Sequence, residues 1–248
     1  MKTILLVTTL FISSTLMAAP SIPKHLQISK VETWEISQAE FTKLNNLEGA
    51  ISNDGPSLVL DPSQKQSITG GIEGAGQVIA IAKDIVALGE AIYELVQKGK
   101  PKNVTEYAAI SVLPREPGTK EAVDVFDMEN FSFPVERNYV ARIKNGVGKE
   151  VIVFSYKLLF SFGGSYNGTG KYLTNVIIVP GSVRTTYGWD FNATMKLSGI
   201  MNHGTKANPV AGALVTMKYS MGSWATAIEK NDTIHVTGRG EIKHYNAP

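Results

Sequence analysis

The side chains in this chain that titrate nearest neutrality are four histidines, His25, His203, His235 and His244, and there is no cysteine. A zinc peptidase needs two His one helical turn apart with a Glu between them, and no His-Glu-x-x-His occurs. The histidine spacings fit no ligand pattern, so no metal site is expected. His235 and Glu241 would share one face of a continuous last strand, and a solvated sheet face accounts for both. Without Cys the chain has no thiolate nucleophile, no Cys-bound zinc and no iron–sulfur cluster.

Other catalytic patterns fail in detail. No Gly-x-Ser-x-Gly occurs, so there is no nucleophile elbow. In "GGSYNGTGKY" five residues separate Gly164 from Gly170-Lys171, where a phosphate loop has four. Tyr172 stands there in place of the magnesium-binding Ser or Thr, so the stretch reads as a glycine-rich β-loop. "GIEGAGQV" lacks the third glycine of a dinucleotide fingerprint and does not follow a strand. Asp127 and Glu129 lie two apart and would share a strand face, as a glycosidase pair could, but nothing fixes their partner. No catalytic residue, cofactor or metal is therefore assigned, and a non-enzymatic protein is expected.

Binding residues are easier to name. "GGSYNGTG" presents Tyr166 among glycines, and "NHGTKANP" presents His203 with Lys206 and Asn208. Trp224 follows Gly222-Ser223 at a potential hairpin tip. Tyr and Trp among Asn and Gly on loops suit carbohydrate or protein contact, so Tyr166, His203 and Trp224 are the candidate ligand contacts.

These residues need a scaffold. The 248 residues are 43% hydrophobic and 19% charged, enough for a real core. "MKTILLVTTLFISSTLMAAPSIP" has one Lys, an apolar run from Ile4 to Phe11, then small residues, the layout of a signal peptide over residues 1–19. Its removal takes one of the 24 basic residues, against 22 acidic ones, and leaves no basic footprint for nucleic acid. The expectation is a bacterial protein exported to the periplasm or secreted, with residues 20–248 as one structural domain. Five Asn-x-Ser/Thr sequons, at Asn103, Asn130, Asn167, Asn192 and Asn231, would matter only in a eukaryotic secretory pathway.

Residues 20–70 read as a strand ("LQISKVETWEI"), a short helix near 37–47 with Ser37 and Glu40 at capping-box spacing, and a loop over 49–70. From Tyr107 the period is two. "VIVFSYKLLFSF" puts Ile152, Phe154, Tyr156, Leu158, Phe160 and Phe162 on one face, and Asn145-Gly146 marks a hairpin. "RTTYGWDFNATMKLS" and "DTIHVTGRGEIKH" each read as one strand with an apolar and a wet face. The fold class is mainly β, an antiparallel β-sandwich over 101–248.

One long amphipathic helix is expected over 71–100, stopped by Gly99 and Pro101. Its apolar arc of about 200° includes Val78, Ile81, Ile85, Leu88, Ile92 and Val96, the candidate membrane contacts. Ala87 falls on its polar side. A Gly-rich start, a long amphipathic body and a β-sandwich behind it resemble the layout of the actinoporins. That resemblance implies a helix that leaves the sandwich to build a pore, but no actinoporin lipid-site motif occurs and no residue is assigned from it. The expected partner is a lipid membrane or a protein or glycan, in a monomer or an oligomer. In the alternative reading the helix is structural and the loops bind.

Overall fold

The computed structural model describes residues 21–46, 78–82, 84–89, 92–98, 100–101 and 109–246, the strands within 92–101 by backbone alone. The signal-peptide reading, the loop over 49–70 and the Gly-rich start of the expected helix lie outside these residues. In chain order the elements are β1 (Ile28–Ile36), α1 (Gln38–Asn46), β2 (Val78–Ala82), β3 (Ile85–Leu88), β4 (Ile92–Lys98), β5 (Lys100–Pro101) and β6 (Ile110–Pro114). There follow β7 (Val135–Asn145), β8 (Glu150–Tyr166), β9 (Thr169–Thr185), β10 (Trp189–Asn202), β11 (Ala211–Ser223), β12 (Thr226–Thr237) and β13 (Ile242–Asn246).

The strands form two antiparallel sheets. One runs β1-β7-β8-β9-β6-β3-β2, the other β13-β12-β11-β10-β4-β5. They share one core because β8 and β10 both alternate. Ile152, Phe154, Tyr156, Leu158 and Phe160 point inward from the first sheet, and Trp189, Phe191, Ala193 and Met195 from the second. Phe154 meets Phe191 across the gap with ring centroids 5.0 Å apart, and Phe191 stacks on Tyr219 at 6.0 Å. Such aromatic pairs add about 0.5–1.5 kcal/mol each beyond their buried area.

The long helix of the sequence reading is not formed. Its span holds the strands β2, β3 and β4 instead. About half of the apolar residues there are β-branched, and β2, β3 and β4 are short, at five, four and seven residues. Runs of that length suit strands, and helical periodicity cannot separate them from a buried helix face. Ala82 pairs with Ile85, so β2 and β3 are antiparallel neighbours in the first sheet. Gly89 then takes a φ of +133°, and a Cβ there would strike the Ala109 carbonyl. The arc of membrane contacts dissolves with the helix. Ile85 is fully buried, Val78 and Ile81 are 41% and 43% exposed on edge strand β2, and Leu88 is half-buried. Ile92 and Val96 sit on β4, beside β10.

The short helix is where the sequence places it. Glu40 N–H donates to Ser37 Oγ at 3.2 Å, the N-cap half of a capping box. α1 buries Phe41 and Leu44 on the outer face of the first sheet, against Ile36, Val140 and Val153. Its docking depends on one missing side chain. A Cβ at Gly181 would lie 2.9 Å from Phe41 Cζ and 3.0 Å from Asn45 Oδ1. That Asn45 oxygen accepts from Ser155 Oγ and from Ser182 N, each at 3.0 Å. Gly181→Ala should therefore destabilise the fold by about 1–3 kcal/mol. Urea unfolding gives the loss, and hydrogen exchange should show faster exchange in α1.

Two expected strands each contain a turn. Gly188, at φ +83°, ends the β9–β10 connection, so Tyr187 stands at a turn tip rather than on an apolar strand face. Gly240, at φ +82°, lies in the β12–β13 turn, so "DTIHVTGRGEIKH" is a hairpin rather than one strand. Glycine tolerates that backbone and a strand interior does not need it. Asp127 lies in a 3-10 turn (Val125–Asp127) and Glu129 bridges to Ser165, so the two do not share a strand face.

Candidate functional site

The two ends of the molecule differ in character. One end carries the β7–β8, β9–β10 and β11–β12 turns, because Ile152 pairs with Thr185 and Trp189 with Ser223. The other carries the β8–β9, β10–β11 and β12–β13 turns, because Tyr166 pairs with Thr169, Asn202 with Ala211 and Gly212 with Thr237. β11 spans the distance with 13 residues, so the ends stand about 40 Å apart.

This separates the three candidate ligand contacts. Trp224 is at the first end, 82% exposed at the hairpin tip that its sequence position suggested. Tyr166 and His203 are at the second. Asn167 and Gly168, both at positive φ, close the β8–β9 hairpin tightly, and Tyr166 packs partly against the core. The loops bearing Tyr166 and His203 are joined. Gly170 N–H donates to Asn208 Oδ1 at 3.0 Å, and Lys171 N–H to the Pro209 carbonyl at 2.8 Å.

The first end presents more apolar tips than the sequence suggested. Tyr187 is fully exposed and Val147 is 61% exposed, at the same end as Trp224. A short 3-10 turn, Lys24–Leu26, is tied to the same end. Gly146 N–H donates to the Lys24 and Gln27 carbonyls, and Ser223 Oγ to the Leu26 carbonyl. Lys24 and Lys149 are exposed there, as is Asp190. Phe126 and Phe133 are also exposed, but on the connection between β6 and β7.

Between the sheets lies a buried polar cluster. Asp232 of β12 accepts from Tyr156 Oη of β8 at 2.6 Å and from Tyr219 Oη of β11 at 3.2 Å. His244 Nε2 of β13 engages its other oxygen. Tyr139 stacks on Tyr156, with ring centroids 5.2 Å apart, and its ring lies 5.0 Å from that of His244. Burial, then the nearby acidic groups, pushes the Tyr156 and Tyr219 hydroxyls well above the usual phenol range, so both stay protonated donors. Burial, then Glu35, pushes Tyr139 up to about 12.

A cleft of about 340 Å³ opens above this cluster, between β1 and β12, lined by Glu32, Trp34, Tyr219, Lys230 and Asp232 among others. Glu32 is held below the ordinary carboxylate range by its hydrogen bond from Lys30. The Asp232 oxygens are already occupied by three donors, which makes the group a tie between the sheets rather than a free base. The sequence carried a signal for it. Period-two alternation back from Ile234 puts Asp232 on the inward face, where a carboxylate needs donors.

A second cluster was missed. His203, in the β10–β11 connection, and His235, on β12, bring their Nε2 atoms to 2.9 Å, with ring centroids 4.8 Å apart. The two are 32 residues apart, and only the pairing of β11 with β12 brings them together. His235 does not share a wet face with Glu241, because it is buried. Burial, then the neighbouring His203, lowers its pKa below the ordinary imidazole value. Thr237 Oγ1 donates to Glu241 Oε2 at 3.0 Å beside it. His25 stands apart from both clusters, exposed in the 3-10 turn at the first end. Comparison with known proteins adds no relative: no family model, curated protein or solved structure matches this chain.

Proposed function

We propose that this protein is an exported, non-enzymatic β-sandwich that docks on an anionic lipid surface through the end bearing Val147, Tyr187 and Trp224. The observation that carries this reading is the clustering of three turns, each holding a large apolar side chain out in water. Ring systems with one polar atom, as in Tyr and Trp, favour the boundary between headgroups and acyl chains. Lys24 and Lys149 beside them favour anionic headgroups over neutral ones, with Asp190 the opposing charge. The docking element is thus a set of hairpin tips and not a helix. Among the described residues no helix is long and apolar enough to cross a membrane, which says nothing of crossing by strands.

Burying one such side chain stabilises by about 1.5–3 kcal/mol, so each tip contributes roughly tenfold or more in affinity. The test is flotation of the mature protein with vesicles of neutral lipid alone and with added anionic lipid. Wild type should float with the anionic vesicles, and Tyr187→Ala with Trp224→Ala should abolish it while leaving the fold intact. A wild type that stays with the soluble fraction on both vesicles overturns the reading. So does flotation that the double variant retains. The loop-binding alternative is supported at one end only, since Trp224 cannot share a ligand with Tyr166 and His203. A glycan-array signal lost in Trp224→Ala, without flotation, would favour it.

A further inference from the structure

We propose that His203 and His235 form a site for a divalent first-row transition ion, with Cu2+ the best fit and Zn2+ or Ni2+ weaker. Both imidazoles turn the same atom inward, and the two Nε2 atoms stand 2.9 Å apart. Two nitrogens bound to one ion at about 2.0–2.1 Å lie about 2.9 Å apart at a right angle and about 3.3 Å apart at the tetrahedral angle. The observed spacing therefore matches neighbouring corners of a square-planar or octahedral ion. A tetrahedral ion needs a shift of a few tenths of an ångström.

The backbone is shaped around the same point. Gly212 lies on β11 beneath both rings, and a Cβ on it would come 2.6 Å from His203 Nε2 and 2.8 Å from His235 Nε2. Any other residue at 212 would fill the space where the nitrogens converge. Thr237, the strand partner of Gly212, holds the Glu241 carboxylate close to His235. His235 is buried and fixed in β12, whereas His203 is exposed, so the site has one rigid wall and one side open to water.

The chemistry of the donors sets the ion. Neutral imidazole ligates Cu2+, Ni2+ and Zn2+ in preference to the hard ions Mg2+ and Ca2+, and Cu2+ heads the usual order of affinity. Among the described residues no third His, Cys, Asp or Glu completes a group of three ligands. Water or a donor from a bound molecule would take the remaining positions.

Titration calorimetry on untagged wild-type protein with Cu2+, Zn2+ and Mg2+ tests this. One equivalent of Cu2+ should bind, Zn2+ should bind more weakly, and Mg2+ should give no heat. His203→Ala, an exposed loop change whose fold circular dichroism verifies, should weaken Cu2+ at least tenfold. Gly212→Ala should do the same, and His25→Ala should change nothing. Cu2+ binding of equal strength in wild type and His203→Ala overturns the proposal, as does no binding to millimolar Cu2+. Either result leaves the pair as a hydrogen bond between two imidazoles.

Discussion

Asp232→Ala should cost this protein about 3–5 kcal/mol of folding stability, because it removes the acceptor shared by a buried polar cluster. Three donors lose their acceptor at once. Tyr156 and Tyr219 are buried, and each orphaned hydroxyl costs about 1–3 kcal/mol. His244 keeps its place against Tyr139 but loses its carboxylate partner. Such a loss is a large part of the ordinary 5–15 kcal/mol of a folded domain. Because Tyr156 belongs to one sheet and Asp232 to the other, the loss should also loosen sheet from sheet. Urea unfolding of Asp232→Ala, Asp232→Asn and Tyr156→Phe checks this. Asn keeps an acceptor for the tyrosines and should lose less than Ala. Tyr156→Phe leaves the carboxylate two donors and should cost only about 1–2 kcal/mol. Equal losses in all three would mean that packing, not the carboxylate, holds the sheets.

The strands from Tyr107 onward were legible because period two survives wherever one face is buried and the other wet. Phe154, Leu158, Phe191 and Met195 show it plainly, each pointing inward as its spacing implies. The turns inside "RTTYGWDFNATMKLS" and "DTIHVTGRGEIKH" were harder. In both, apolar or polar residues happen to keep phase across the turn, and only Gly188 and Gly240 betray it. Asp232 could have been found, since alternation places it among apolar neighbours. The His203–His235 pair could not, because its geometry depends on how β11 pairs with β12 and on the bulge between Leu197 and Gly199 in β10. Trp224 was placed at a tip by its Gly222-Ser223 neighbours, but its company with Val147 and Tyr187 is a property of the topology.

Ile85→Glu and Ala87→Glu should both leave the chain unfolded or insoluble. Their joint failure distinguishes strand from helix. On a helix the two residues lie about 200° apart, with Ile85 on the apolar arc and Ala87 on the polar side. A helical segment would tolerate the second change. In β3 they are two residues apart and share a face, and both are fully buried in the main core. β3 is flanked by β2 and β6, so neither residue can swing to an open edge. A carboxylate forced into such a position costs several kcal/mol, and at Ala87 the added bulk also displaces neighbours. Val78→Glu and Ile81→Glu reverse the comparison. A helix would place both with Ile85 on the apolar arc, whereas edge strand β2 leaves them exposed enough to keep a charge hydrated. Soluble yield and far-ultraviolet circular dichroism of the four variants give the answer. Loss at 85 and 87 with tolerance at 78 and 81 is the pattern of β3 and β2. Loss at 78, 81 and 85 with tolerance at 87 would instead be the pattern of a helix packed with its apolar arc against the core.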